Sequence, residues 1–191
     1  EIGDTDAVAL YARDPSAAVR MGALLVLWRA RDARLAQWLA DPEPHIVVEA
    51  ARAIYDLDVE AALPTLAAMA TQRLPLDRDG DRESTYALQR RIVAANLALG
   101  TSDHALALAT FAADERHPRA MRSAALDALA EFTRPGLREP VWGRYRRLPE
   151  RPAATVHAAL DALVPLLLDA DVEARALEIA LAAGRVPLPD D

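Results

Sequence analysis

The chain contains no cysteine and no lysine, and it is poor in aromatic residues and in glycine. Without cysteine, its 191 residues cannot form a disulfide framework, a thiolate nucleophile, a Cys-ligated zinc site or a haem-attachment motif. All 22 basic residues are arginine, which we interpret as the codon bias of a GC-rich genome. An aromatic content of 5% and only seven glycines argue against a β-sandwich or a β-barrel.

Long uninterrupted apolar runs are missing as well. The segment VHAALDALVPLLL, from Val156 to Leu168, is interrupted by charge and proline and is too short to span a bilayer, so we predict no membrane insertion. The net charge of −7 argues against general attraction of the whole chain to nucleic acid or to an anionic membrane. The chain starts at Glu1 without methionine and shows no signal-peptide pattern, so we expect either that a signal peptide has been removed or, as the favoured interpretation, that the chain is a piece of a longer protein.

Alanine and leucine at helical spacing dominate the chain, and a hydrophobic content of 52% predicts a globular all-α fold. The strongest internal repeat pairs DPSAAVRMGALLVLWRA, starting at Asp14, with DPEPHIVVEAARAIYDL, starting 27 residues later at Asp41. In each copy, Asp is predicted to be the N-cap of a helix and Pro its first residue. Trp28 and Trp38 fall on apolar stripes and are predicted core residues. The other positions predicted to be buried are Val19, Ala23, Val26 and Leu27 in the first copy and Ile46, Ala50, Ala53 and Ile54 in the second.

Further helical segments follow at short intervals along the chain. Short second helices are predicted after each copy, over residues 33–40 and 59–70, the latter kinked at Pro64. Gly100 is the predicted C-cap of a longer helix. The remaining predicted helices are 83–100, 102–114, 117–132, 154–171 and 172–184.

The repeat unit closely resembles a HEAT-type α-solenoid repeat. It has an Asp-Pro start, a Val-Arg or similar pair, two small residues and then a second helix. The residues that carry the resemblance are Asp14, Pro15, Val19 and Arg20, then Asp41, Pro42, Val47, Glu49 and Ala50, and finally Pro118, Met121, Arg122 and Ala125. In such proteins no single helical pair buries its apolar face alone, so stacked pairs share one long core. The resemblance implies a right-handed α-α superhelix of about five HEAT-like helical hairpins, formed by residues 1–191 as a single domain.

A narrower resemblance covers residues 125–160. This segment is similar to the helical-repeat segment of bacterial proteins that combine a sugar-dehydrogenase-like β-propeller, HEAT repeats and a c-type cytochrome domain. The residues that carry it are Asp127, Arg134, Pro135, Glu139, Pro140, Gly143, Arg144, Tyr145, Arg146, Leu148 and Pro149. Where the family has a first Trp, this chain has Phe132 and Thr133. The resemblance implies a secreted or periplasmic redox protein whose propeller and haem lie outside these residues.

Residues 134–152, RPGLREPVWGRYRRLPERP, are predicted to form a long loop between two helices. Six arginines against two glutamates give this segment a local charge of +4 in an acidic protein. Trp142, Tyr145 and Leu148 are predicted to anchor the loop on the protein surface, so that Trp142→Ala would loosen it. The candidate interaction residues are Arg138, Trp142, Arg144, Tyr145, Arg146 and Arg147.

The sequence leaves three interpretations of this segment open. In the first, the loop is purely structural, and its arginines pair with acidic helix ends or cap carbonyl groups. In the second, the segment docks a neighbouring domain or another subunit. In the third, it recognises a phosphate or nucleic acid. Trp, Tyr and Arg are enriched in protein interfaces, which favours a protein partner over an anionic ligand of another kind. The acidic net charge makes nucleic acid the least favoured partner.

Two groups of side chains suggest metal binding at first sight. Asp77, Asp79 and Asp81 resemble a calcium-binding loop, but the glycine precedes the third aspartate and the twelfth position is Leu88. We predict a solvated loop there, with a weak cation site as the alternative. The four histidines lack the spacing of a metal site and are predicted to be caps or surface residues. These histidines are His45, His104, His117 and His157.

No nucleophile with a base and no glycine-rich phosphate loop is found, so we predict no catalytic residue, cofactor or metal site. The predicted function is a non-catalytic protein-interaction or domain-positioning scaffold within a larger secreted redox protein. One alternative is a nucleic-acid-binding module similar to HEAT-like DNA glycosylases, which needs a concave groove rich in positive charge. The other is a helical-repeat lyase that handles a bilin, which needs a deep pocket with convergent polar groups.

Overall fold

A computed structural model describes residues 5–74, 82–164, 176, 177 and 179 of the chain. The secondary structure of these residues is helical, with no strand among them, so the predicted all-α class is confirmed. The chain divides into two compact units, Glu1–Ile92 and Val93–Asp191, and the division falls inside one long helix. The end of the predicted helix 154–171 and most of the predicted helix 172–184 lie outside the described residues.

In the described residues of the first unit, 5–74 and 82–92, there are four α-helices and the first part of a fifth. These are α1 (Thr5–Ala9), α2 (Ala17–Ala30), α3 (Pro44–Asp56), α4 (Leu63–Ala68) and α5 (Arg82–Leu99), which crosses the unit boundary. Short 3₁₀ helices lie between them at Leu10–Arg13, Ala33–Ala40, Glu60–Ala62 and Met69–Thr71.

Both predicted second helices of the repeat differ from a regular α-helix. Ala33–Ala40 is a 3₁₀ helix of eight residues, a length at which an α-helix has little intrinsic stability. In the next one, Pro64 lies in the first turn of α4, so the predicted kink at Pro64 is wrong. Proline is tolerated in that turn because the first amides of a helix have no intrahelical acceptor.

The two copies of the 27-residue repeat begin with the same local structure. Asp14 Oδ1 accepts from the Ser16 amide at 2.8 Å, and Asp41 Oδ1 accepts from the Glu43 amide at 2.9 Å. Each aspartate therefore bonds the residue that caps the helix, and α2 and α3 start three residues after it. The predicted N-caps at Asp14 and Asp41 are wrong by two residues because an aspartate side chain readily bonds the backbone two positions further on.

The buried stripe of α3 agrees with the prediction, whereas that of α2 differs. All four predicted α3 positions, Ile46, Ala50, Ala53 and Ile54, are fully buried. In α2 the buried residues are Arg20, Ala23, Leu24 and Leu27. The predicted core residues Val19 and Val26 are exposed and half-buried, and the core face of this helix includes an arginine instead. Trp38 is buried as predicted, and Trp28 is half-buried.

Arg20 occupies a core position because an aspartate of the second repeat copy neutralises it. Its Nε lies 2.7 Å from Asp41 Oδ2 and its Nη2 2.9 Å from Asp41 Oδ1, with the two side chains 8% and 2% exposed. Arg20 Nη1 also donates to the carbonyl of Asp14 at 2.9 Å. A similar bidentate pair joins Arg91 to Asp56, at 3.0 and 2.7 Å. These pairs connect turns and helices of the first unit through buried charge.

Up to residue 164, the described part of the second unit contains the end of α5 followed by α6 (Ser102–Ala113), α7 (Arg119–Ala130) and α8 (His157–Leu163), the last preceded by a 3₁₀ turn at Ala153–Val156. Helix α6 packs against α7 and α8. Gly100 ends α5 with φ of +69°, which confirms its predicted role as C-cap. None of the helices in the described ranges has both the length and the apolar character to cross a membrane.

Candidate functional site

The segment between α7 and α8 contains a short antiparallel hairpin, residues 137–146. Arg138 and Tyr145 form an isolated bridge, flanked by hydrogen bonds from the Glu139 amide to the Arg144 carbonyl at 2.9 Å and from the Arg146 amide to the Leu137 carbonyl at 3.0 Å. Residues 131–152 contain no helix, and the centre of this segment is folded by its own backbone hydrogen bonds.

The turn of the hairpin is built around the carboxylate of Glu139, which is only 6% exposed. This carboxylate accepts from the amides of Val141 at 2.8 Å, Trp142 at 2.7 Å and Arg144 at 3.1 Å. Gly143 adopts φ of +68° and donates its amide to the Glu139 carbonyl at 3.0 Å. Charged hydrogen bonds of this kind are stronger than neutral ones, so Glu139 holds the turn in one conformation.

Sequence reasoning treated Glu139 as a negative charge and as part of the narrower resemblance, and it missed this role. The signal that could have revealed it is EPVWG, in which proline and glycine bracket a turn next to a carboxylate.

Trp142 and Tyr145 do not anchor the segment. Their residues are 61% and 71% exposed, and Leu137 is 59% exposed, so three large apolar side chains of the hairpin face solvent. The predicted anchoring role of Trp142 and Tyr145 is therefore wrong, because the hydrogen bonds of Glu139 hold the turn without burying an aromatic ring. Leu148 is half-buried.

The anchor of the segment is Arg151. Its Nη1 donates to the Phe132 carbonyl at 2.7 Å, its Nη2 donates to the Leu97 carbonyl at 2.6 Å, and its amide donates to the Thr133 carbonyl at 2.9 Å. The guanidinium carbon also lies 4.8 Å from the centre of the Phe132 ring. Burial lowers the pKa of Arg151 below its usual value. One side chain thereby ties the end of α5 to both ends of the segment.

The Arg151 contact makes a substitution at Gly100 costly. A Cβ at Gly100 would collide with the Arg151 guanidinium, and the positive φ disfavours any side chain there. We expect Gly100→Ala to lower the free energy of unfolding by about 2 kcal/mol through backbone strain and loss of the Arg151 hydrogen bonds. Urea denaturation followed by circular dichroism measures this change.

The matched control is Gly22→Ala in α2, where an added Cβ meets nothing within 4 Å. That variant should be stabilised by up to about 1 kcal/mol, because alanine replaces glycine inside a helix. In the double variant Gly100→Ala with Arg151→Ala, the added Cβ no longer meets a guanidinium. The free energy of unfolding should therefore fall by less than the sum of the losses in the two single variants. Strict additivity would contradict the proposed contact.

The predicted interaction residues come together in and beside the hairpin. Arg138 and Tyr145 are directly opposite each other in a pair without mutual hydrogen bonds, so their side chains lie close together on one face. Arg138, Arg144 and Arg147 are exposed and Arg146 is half-buried. Arg138 Nη1 donates to the Gly143 carbonyl at 2.7 Å, and Arg144 Nε lies 3.9 Å from Glu139 Oε1.

Acidic residues at helix ends have arginine partners elsewhere in the chain. Asp41 and Asp56 bind Arg20 and Arg91, and Asp114 binds Arg116 two residues away at 2.9 Å. In the 134–152 segment, Arg151 caps carbonyl groups outside the hairpin, and Arg138 donates to the Gly143 carbonyl inside it. The structural interpretation therefore accounts fully for Arg151 and in part for Arg138 and Arg144, whose residues are exposed and are still candidates for binding.

The histidines divide into caps, surface residues and one core residue. His104 caps α6: its Nδ1 accepts from the Thr101 amide at 3.4 Å and lies 2.7 Å from the Thr101 hydroxyl. His45 and His157 are exposed near helix starts. His117 is buried and stacks on Phe111 with ring centres 3.8 Å apart, so the prediction of a cap or surface residue is wrong there. A stacked imidazole contributes an apolar face to the core.

The candidate cation loop cannot be compared with the prediction, because Asp77, Asp79 and Asp81 lie outside the described residues. Elsewhere in the described part of the chain, no three His, Cys, Asp or Glu side chains are grouped in a way that could hold a metal ion.

His104 makes the stability of the second unit sensitive to pH. Burial lowers its pKa below the usual 6.5, and the nearby charge of Arg151 lowers it further, against the opposite effect of Asp103. The unfolded chain therefore binds a proton at this site more readily than the folded chain, so stability falls as the pH drops below 6.5. Protonation also removes the acceptor that the Thr101 amide uses.

We expect the wild type to lose more stability than His104→Gln between about pH 7.5 and about pH 5.5, measured by urea denaturation at both values. The variant keeps a side-chain acceptor but does not titrate, so the difference isolates His104 from the other histidines. Equal losses of stability in the wild type and in His104→Gln would contradict this prediction, because His104 would then bind protons equally well in the folded and the unfolded chain.

Comparison of the chain with models of known protein families, with curated proteins and with solved structures finds no match. Its function is therefore inferred from its own side chains.

Proposed function

We propose that this chain is a non-catalytic protein-interaction or domain-positioning scaffold that contacts its partner through the hairpin of residues 137–146. The observation that carries the proposal is the exposure of Trp142 and Tyr145, at 61% and 71%, on a turn fixed by hydrogen bonds to the buried carboxylate of Glu139. Large exposed aromatic side chains lose contact with water when a partner covers them.

The rigid turn supports this function through its effect on binding entropy. Glu139 fixes the backbone from Val141 to Arg144 before a partner arrives. A surface that is ordered in advance loses less conformational freedom on association, so more of the contact energy appears as affinity. Trp, Tyr and Arg are also the residues that contribute most often to binding hot spots.

The scaffold itself is proposed to be a right-handed superhelix of HEAT-like helical pairs. Its support is the 27-residue repeat, whose two copies share the aspartate turn and the helix start, together with the all-α class. Neighbouring pairs in such an array share a core, which gives a long surface for positioning other domains.

The larger protein is proposed to be a secreted or periplasmic redox protein in which this scaffold positions neighbouring domains. The support is the resemblance of residues 125–160 to the helical-repeat segment of propeller and cytochrome c proteins. A reduced-minus-oxidised absorption spectrum of the full natural gene product, made with its own export signal and haem-maturation machinery, tests this. A c-type haem signal is expected, and its absence would leave a free-standing scaffold.

The contact role of Trp142 is tested by placing a photo-cross-linking amino acid at Tyr145 in the full natural protein. We expect cross-links to one defined partner surface, and we expect Trp142→Ala to reduce their yield about tenfold or more, as for a hot-spot residue. Trypsin sensitivity of the segment should stay unchanged in Trp142→Ala, because Trp142 is 61% exposed and the carboxylate of Glu139 still accepts from the backbone amides of the turn.

Leu106→Ala is the matched control, since Leu106 is an exposed apolar residue of α6 in the same unit. It should leave the cross-links intact. Cross-links that persist in Trp142→Ala, or that form equally from a photo-reactive residue at Leu106, would refute the hairpin as the contact surface.

A further inference from the structure

We infer that the hairpin recognises an acidic segment of a partner protein, whose carboxylates pair with Arg138 and with Arg147 just beyond the hairpin, beside Trp142. The inference rests on the proposed interaction function and adds the chemistry of the partner.

Two exposed arginines of this segment, Arg138 in the hairpin and Arg147 just after it, have no carboxylate partner among the described residues. The 134–152 segment has a local charge of +4, and one of its two carboxylates, that of Glu139, is turned inward onto backbone amides. Arg138 donates to a neutral carbonyl, which leaves its charge in place. Among the described residues, no carboxylate lies within ion-pair distance of Arg138 or Arg147.

The side chains beside these arginines favour a peptide as the source of the carboxylates. Tyr145 lies on the same face as Arg138, and Trp142 and Leu137 are exposed in the same hairpin. A guanidinium binds a carboxylate through two parallel hydrogen bonds, while the rings and Leu137 offer apolar contact. A peptide whose acidic side chains are interspersed with apolar ones would bind both the guanidinium groups and the apolar side chains of the hairpin.

The negative charge of the rest of the chain favours an acidic protein segment over nucleic acid as the partner of the hairpin. With +4 in this segment and −7 overall, the remaining residues carry −11. A polyanion whose charge extends beyond the hairpin would meet this negative charge, and repulsion acts over a Debye length of about 8 Å in physiological salt. A short acidic segment on an otherwise mixed protein surface meets only the basic hairpin.

The test is selection of peptides from a phage-displayed random library on the intact chain, with Arg138→Glu combined with Arg147→Glu as the counter-selection target. We expect the wild type to enrich sequences that contain several Asp or Glu together with aromatic or aliphatic residues. A synthetic peptide from that pool should bind about tenfold or more weakly to the double variant, and added salt should weaken its binding to the wild type.

The matched control is Arg13→Glu combined with Arg29→Glu, which reverses two exposed arginines outside the hairpin and should leave peptide affinity unchanged. Arg138→Lys with Arg147→Lys should keep the preference for acidic sequences, which separates charge from folding of the hairpin. Enrichment of neutral or basic peptides, no enrichment at all, or tighter binding of a single-stranded oligonucleotide each overturns the inference. The cross-linking experiment at Tyr145 then still decides the proposed function by itself.

Discussion

Asp41→Ala is expected to lower the free energy of unfolding of the first unit by about 3–5 kcal/mol, because it leaves the buried guanidinium of Arg20 without its counter-ion. The two side chains are 8% and 2% exposed and share two hydrogen bonds, so water cannot replace the lost carboxylate. Removing Asp41 also removes the acceptor of the Glu43 amide at the start of α3.

The measurement uses the distribution of tryptophan along the chain. Trp28 and Trp38 lie in the first unit and Trp142 in the second, so a Trp142→Phe background makes fluorescence a reporter of the first unit. Urea denaturation of this background, with and without Asp41→Ala, gives the change in free energy.

Asp14→Ala is the matched control, because Asp14 stands at the same position of the other repeat copy. Its side chain makes the same bond to the amide two residues on, at 2.8 Å, but it is not the carboxylate that Arg20 binds. We expect a loss of about 1 kcal/mol, as for one side-chain hydrogen bond to a backbone amide. Similar losses in Asp14→Ala and Asp41→Ala would contradict the importance of the buried pair.

Replacing both partners tests the same pair from the other side. Arg20→Met combined with Asp41→Leu removes both charges and should restore most of the stability lost in Asp41→Ala, since no uncompensated charge stays buried.

Glu139→Ala should open the hairpin. Three backbone amides lose a charged acceptor, and at about 1 kcal/mol net for each bond the open form gains about 3 kcal/mol, or more than about a hundredfold in population. The segment has many arginines, so limited trypsin digestion followed by mass spectrometry reads out this opening as faster cleavage between residues 138 and 147.

Glu150→Ala is the control for charge, because Glu150 is exposed and lies in the same segment. It should leave the cleavage rate near that of the wild type. Glu139→Gln keeps one acceptor oxygen and should fall between the two. If Glu139→Ala and Glu150→Ala are cleaved at the same rate, the turn does not depend on the buried carboxylate.

The parts of the fold that the sequence predicted well are those with local signals. Helix α6 begins at Ser102 as predicted, and Gly100 ends α5 as predicted, because capping and positive φ depend on a few neighbouring residues. The fully buried stripe of α3 follows from its periodicity.

The failures concern residues whose role depends on distant partners. The apolar stripe predicted for α2 does not include Arg20, yet Arg20 is buried because of Asp41, 21 residues away. Arg151 reads as one more charge in a basic loop, yet it caps the Leu97 carbonyl 54 residues away. Trp142 reads as an anchor, and its exposure follows from hydrogen bonds that Glu139 makes within the turn.

The sequence by itself determined the all-α class, the approximate positions of the helices, the exclusion of cysteine chemistry and the position of the basic aromatic segment. These properties come from composition, from helical periodicity and from end signals, which act over a few residues of chain. Only the tertiary structure decided which charged side chains are buried, what holds the 134–152 segment and which of its residues face solvent. Those outcomes depend on contacts between residues far apart in sequence, where the cost of burying a charge is offset only by a partner that folding brings to it.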